Sequence, residues 1–167
     1  MRLAQAAENQ VGKTVRYDAS YVQIDYPGGD VPIDRGVCTD VVVRAFRALN
    51  IDLQVDVHED MTEHFSEYPQ NWGLSGPNTN IDHRRVPNLQ TYFRRAGKSL
   101  EVTARPQDYW PGDVVTWSVD GRPHTGIVSR RLVPDGQYYC VVHNIGAGAQ
   151  IEDALFSFEI TGHYRPL

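Results

Sequence analysis

Two cysteines, Cys38 and Cys140, are too few for a disulfide-stapled framework, and they sit in segments that read as different elements, so nothing in the sequence supports a bridge between them. No apolar run is long enough to span a bilayer. Basic excess is missing too. Sixteen Lys+Arg stand against twenty-one Asp+Glu, a net charge of −5, and the pairs Arg84-Arg85 and Arg94-Arg95 are too small to make a nucleic-acid surface. The opening segment, MRLAQAAENQVGKTV, carries no apolar signal core, which leaves cytosolic residence and a matured exported form both open. Internal repeats and low-complexity tracts are absent. What remains is ordinary globular composition, 41% hydrophobic and 22% charged, suited to one compact domain over residues 1–167.

Familiar cofactor and metal patterns also fail. His58-Glu59 suggests a zinc-peptidase helix, but that pattern needs a histidine where this chain has Thr62, so a solvated polar face is the better reading and no metal is expected. Gly146-Ala147-Gly148 has no Lys-Ser/Thr and no helix after it, which makes it a turn bringing backbone near the cleft rather than a phosphate loop. No cofactor is expected.

Helical periodicity fills the first part of the chain. Leu3, Ala7 and Val11 predict a packing helix over residues 2–13, followed by a turn-rich loop from Val15 to Asp34. Cys38, Val42, Ala45 and Leu49 predict a helix headed by the thiol. Val57, Met61, Phe65 and Tyr68 mark a second helix stopped by Pro69, and a third follows Pro87, with Leu89, Tyr92, Phe93 and Ala96 inward. After Gly97 the period changes to two around residues 114–119, 124–128 and 138–143, with turn signals at Asp120-Gly121 and Pro134-Asp135-Gly136 and a last strand from Leu155 to Tyr164. Helices first and strands afterwards predict an α+β domain with helices on an antiparallel sheet. Trp110 and Trp117 read as core or cleft wall, and His163 as a surface or sheet-edge residue.

Cys38 is the chemical centre of this pattern. A thiol at a helix N-terminus meets unpaired N–H groups and the positive end of the dipole, which favour thiolate. A nucleophilic cysteine also needs an imidazole base, and the base needs a polar partner to orient it. His124 opens one predicted strand and His143 closes its antiparallel neighbour, so both reach the same sheet edge. Cys140, three residues from His143, points to the opposite face.

The stretch WPGDVVTWSVDGRPHTGIVSRR, followed by YYCVVHNIG, resembles the NlpC-type cell-wall peptidases of the papain-like superfamily. The matching motifs are Pro111-Gly112-Asp113, His124-Thr125-Gly126-Ile127 and His143, with VCTDVVVRAFRALNIDL resembling the cysteine helix. More narrowly, YPGGDVPIDRGVCTDVV with NIDHRRVPNLQTYFRR is similar to a bacterial domain-of-unknown-function family of that superfamily, over nearly the whole chain. The resemblance implies a papain-like fold with Cys38 as nucleophile, His124 as base and acid, and His143 as the orienting group. It implies a peptidoglycan or muropeptide substrate, with an amide bond cut through an acyl-thioester, and work outside the cytoplasm as a mature form. Tyr17 matches an upstream tyrosine that contributes to such sites. Val37-Cys38-Thr39-Asp40 departs from the usual Asp-Cys-Ser-Gly, which puts Asp40 where substrate contacts differ. In NIDHRR, two arginines and a histidine could grip a substrate carboxylate or pair with the protein's own Asp and Glu residues; His83 and Arg84 are carried as the binding candidates. Two other classes remain: a catalytically silent cell-wall or peptide-binding module, and a papain-like acyltransferase, against which a polar cleft lined by Asp82 and Arg84 would argue.

Overall fold

The computed structural model describes residues 1–167 as four α-helices sharing one core with an antiparallel sheet. The helices are α1 (Arg2–Glu8), α2 (Cys38–Arg47), α3 (Leu53–His64) and α4 (Val86–Arg95). Strands β1 (Arg16–Tyr17) and β2 (Arg35–Gly36) form a small parallel pair between α1 and α2. The main sheet comprises β3 (Ser99–Leu100), β4 (Val114–Val119), β5 (Arg122–Leu132), β6 (Tyr139–His143), β7 (Gln150–Glu152) and β8 (Glu159–Tyr164), in the order β3-β8-β4-β5-β6-β7. The α+β expectation holds. No helix is long and apolar enough to cross a membrane.

Alternation along the strands sorts the apolar side chains into two layers. Val114, Ile127 and Val142 face the helices and join Leu3, Val41, Phe46, Val57, Met61, Leu89 and Phe93 in the larger core. Val115, Trp117, Val128 and Val141 face the other way, where Tyr109, Ala154 and Leu155 cover them. Asp120 and Gly121 both take positive φ, 50° and 77°, the geometry of a type I′ hairpin turn whose twist suits β4 and β5.

Several boundaries differ from the sequence reading, each for a local reason. Helix α1 stops at Glu8, and the chain continues in turns to Lys13, so Val11 leaves the inward stripe and is exposed. Helix α4 ends at Arg95, which leaves Ala96 exposed. Strand β8 begins only at Glu159, while Leu155 belongs to the second apolar layer. The loop from Val15 to Asp34 contains β1, and Arg44 of α2 ties it down. The Arg44 guanidinium donates to Asp30 at 2.8 and 3.0 Å, to Thr14 Oγ1 at 3.0 Å and to the carbonyls of Val31 and Arg35, both at 3.0 Å.

Two aromatic expectations need correction. His163 is buried, its Nε2 2.7 Å from Asp113 Oδ2, its ring stacked on Tyr109 at 4.2 Å, because the buried Asp113 gathers His163, the exposed Arg165 and the Trp110 N–H into one polar cluster. Trp110 is exposed beside that cluster, whereas Trp117 is buried and donates to the Leu155 carbonyl at 2.9 Å.

Candidate active site

Cys38 is the first residue of α2, and the turn before it is shaped by Asp40. Val37 has no side-chain acceptor to cap the helix, so the Asp40 carboxylate reaches back and accepts the Val37 N–H at 2.7 Å. A side chain at Gly36 would place its Cβ 2.8 Å from Asp40 Oδ2, which is why glycine precedes the turn. Nearby backbone N–H groups, those of Thr125, Thr39 and Cys38 itself, favour the thiolate. Burial still outweighs them and, with the nearby Asp40 charge, pushes the thiol up to about 11. The resting group is therefore a thiol, which corrects the thiolate expected from its place at the helix end.

The two histidines meet as the strand directions require. Ile127 pairs with Val142 across β5 and β6, so His124 and His143 overhang the same end, with His124 Nε2 2.8 Å from His143 Nδ1. Gly126 makes room: a Cβ there would stand 2.7 Å from the Val142 carbonyl oxygen and 3.0 Å from His143 Cβ. Trp117 packs over both rings, at 5.8 and 6.4 Å between centroids. On the far side His143 Nε2 lies 2.7 Å from Glu152 Oε2. A carboxylate can only accept, so His143 carries its proton on Nε2 and presents a lone pair at Nδ1 to the Nε2–H of His124. That leaves His124 Nδ1 as the unprotonated, basic atom. Burial, reinforced by the neighbouring ring, lowers His124 to about 4, and burial lowers His143 despite the opposing pull of Glu152. Both rings are neutral near pH 7. No hydrogen bond joins the sulfur to the His124 ring; among the backbone groups that favour its thiolate is the N–H of Thr125, the residue after His124.

Cys38 opens onto a cavity of about 430 Å³ whose wall includes Tyr17, Ala19, Trp72, Ile81, Arg85 and Pro123. Tyr17 is thus at the site, close enough to Cys38 and Asp40 for both to raise its hydroxyl pKa after burial does. The other binding candidates are differently employed. Asp40 and Arg84 form a buried bidentate pair, Nε–Oδ1 2.8 Å and Nη2–Oδ2 2.9 Å, and the Arg84 carbonyl accepts the Thr39 hydroxyl at 2.9 Å. Arg84 borders the cavity with its guanidinium already spoken for. His83 lies buried outside the lining, and burial lowers it to about 4, so it grips no substrate. Asp82 is buried as well and does not line the cavity, which is more apolar than the sequence suggested. Cys140 is a free thiol, like Cys38, on the face of β6 away from His143. No three His, Cys, Asp or Glu side chains converge in metal-binding geometry.

Three contributors escaped the sequence reading. Glu152 sits on a strand of three residues, too short to show a period. Asn144 follows the histidine of VVHNIG and is fully buried; its Nδ2 donates to the Gly36 carbonyl at 2.9 Å and to the Arg16 carbonyl at 3.2 Å, while its Oδ1 accepts the N–H groups of Gly146 and Gly148. It fastens the end of β6 to the β1–β2 pair and so to the segment entering Cys38. Gly148 is likewise a close approach, but to Thr14 and Val15 rather than to the cleft, since a Cβ there would meet the Thr14 carbonyl oxygen at 2.3 Å. Arg85, passed over as a binding candidate in favour of its neighbour Arg84, is the arginine on the cavity wall without a bidentate partner.

The residues that build this site fall within a stretch shared with other proteins. The uncharacterized protein YijF of Escherichia coli (strain K12) is 54% identical over 166 residues, covering 99% of this chain and 80% of the relative. The family model described as a domain of unknown function, DUF1287, matches residues 4–166, so the thiol, both imidazoles, Glu152 and the cavity wall all lie inside it. With nearly its whole length matched, the chain belongs to the DUF1287 family.

Proposed function

We propose that the protein is a papain-like cysteine hydrolase that cuts an amide bond in a peptidoglycan stem peptide, acting outside the cytoplasm. The observation that carries this reading is the ordered line Glu152–His143–His124, each contact 2.7–2.8 Å, whose last member adjoins Thr125, a residue whose N–H favours the Cys38 thiolate, while Cys38 itself is on the wall of a cavity that neither imidazole lines. The cell-wall substrate rests on the NlpC-type resemblance of the His124-Thr125-Gly126-Ile127 and His143 motifs.

In this mechanism the Cys38 sulfur attacks the amide carbonyl carbon as its proton passes to His124 Nδ1. Starting from neutral partners, proton transfer accompanies attack rather than preceding it. The backbone N–H at the head of α2 stabilises the oxyanion of the tetrahedral intermediate. The C–N bond breaks as His124 returns the proton to the leaving amine, leaving an acyl-thioester. His124 then deprotonates water, which releases the acid and restores the thiol. His143, held by Glu152, keeps Nδ1 free throughout.

The mainly apolar cavity wall favours a second reading, acyl transfer to another acceptor through the same thioester. Mass spectrometry separates the two. Defined muropeptides incubated with the protein should yield two fragments whose masses sum to substrate plus water, and Cys38→Ala should yield none. A product bearing the acyl group on a second amine or hydroxyl establishes transfer instead. Unchanged muropeptide in every reaction overturns the hydrolase proposal.

A further inference from the structure

We infer that Arg85, with Trp72, forms a subsite for a free carboxylate of the bound peptide, an assignment that rests on the reading of the Cys38 cavity as a substrate site. Both residues line that cavity, and the Arg85 guanidinium carbon lies 4.1 Å over the Trp72 ring. The stack fixes the plane of the fork against one wall.

The two adjacent arginines differ in what they still need. Arg84 is saturated by Asp40 through two hydrogen bonds, at 2.8 and 2.9 Å, so a ligand has nothing to add there. Arg85 has only Asp82, 3.7 Å from Nη1 and beyond hydrogen-bond range. Nη1 of Arg85 and Oδ1 of Asp82 are sealed from solvent against each other without a hydrogen bond, and the other Asp82 oxygen accepts the Asn78 N–H, so the donors left to a ligand are Arg85 Nε and Nη2, which also lack a hydrogen-bond partner. A partly buried guanidinium with donors left over, in a cavity whose other walls are largely apolar, calls for an anion with two acceptor oxygens. In a peptide ligand that anion is a free α- or side-chain carboxylate. A primary amide at the same place has one acceptor and no charge, so the subsite discriminates between carboxylate and carboxamide forms of otherwise identical stem peptides.

The test uses matched stem peptides that differ only in whether one carboxyl group, on the D-glutamate or on the diamino acid, is free or amidated. Binding is measured by calorimetry on Cys38→Ala, where no turnover intervenes, and cleavage on the wild-type chain. The free-carboxylate form should bind at least about tenfold more tightly than its amide, the factor a charge-assisted hydrogen bond supplies. Arg85→Gln in the Cys38→Ala background should erase that preference, and Trp72→Leu should reduce it. Equal affinity for the two forms, a preference that survives Arg85→Gln, or no binding of either peptide overturns the subsite. Carboxylate-dependent binding without cleavage by the wild-type chain overturns the hydrolase reading and leaves the subsite standing; cleavage indifferent to amidation does the reverse.

Discussion

Glu152 Oε2 and His143 Nε2 lie 2.7 Å apart, joining a half-exposed carboxylate to a buried imidazole. Through that contact the sheet-edge strand β7 sets the protonation pattern of His124, a residue Glu152 does not touch. Nitrogen-15 spectra of the imidazoles should show both His124 and His143 as Nε2–H tautomers. His143→Asn should retain more turnover than His143→Ala, because an amide oxygen can still accept the His124 proton. Glu152→Gln should cost about tenfold or more in the wild-type background and little in His143→Asn, where the relay is already cut. Equal losses in both backgrounds would mean Glu152 acts by another route.

Alkylation reports directly on the sulfur. Because burial holds the Cys38 thiol up near 11, its reaction with iodoacetamide should climb by about tenfold for each pH unit above neutrality, following the thiolate fraction. A rate already flat at pH 7 would signify a preformed thiolate–imidazolium pair and contradict the neutral resting state.

Acid should weaken the fold through its buried histidines. His83 and His124 sit near 4 in the folded chain against an ordinary 6.5, so between those values the unfolded chain binds protons that the native chain excludes. Stability is therefore complete above about pH 6.5 and falls as the pH drops toward 4, at up to about 1.4 kcal/mol per pH unit for each ring. Urea unfolding at stepped pH measures the slope. His83→Gln, remote from the cavity lining, should flatten it, and a stability constant from pH 6.5 to 4.5 would refute the linkage.

The Asp40–Arg84 pair should behave as architecture. Asp40→Ala strands a buried guanidinium and removes the acceptor of the Val37 N–H, a loss of about 3–5 kcal/mol in urea unfolding. Asp40→Ala combined with Arg84→Met should recover part of that stability. A single variant of native stability with impaired peptide binding would instead restore these two residues to substrate contact.

Periodicity made the main frame legible. Cys38 heads its helix because the stripe through Val42 and Ala45 is read without ambiguity, and His124 and His143 meet because antiparallel strands bring one start beside the neighbouring end. Tyr17 at the cavity wall was legible through motif likeness. The unread parts share a physical cause. Asn144 reaches Gly36, 108 residues away, and Glu152, though nine residues from His143, sits on a strand too short to show a period, so no pattern betrays either partner. In NIDHRR both arginines border the cavity, and which of them is consumed by Asp40 depends on one turn of 3-10 helix at Asp82–Arg84, a rotation that spacing does not encode. The thiol's protonation was misjudged because a helix end is visible in sequence and the depth of its burial is not.

Asn144 joins the two strand ends that carry the chemistry. By bonding Gly36 and Arg16 from the position next to His143, it mounts nucleophile and imidazole on a common chassis, so they travel together when the chain breathes. Trp72 and Arg85, stacked on each other at another part of the cavity wall, lie outside that fastening.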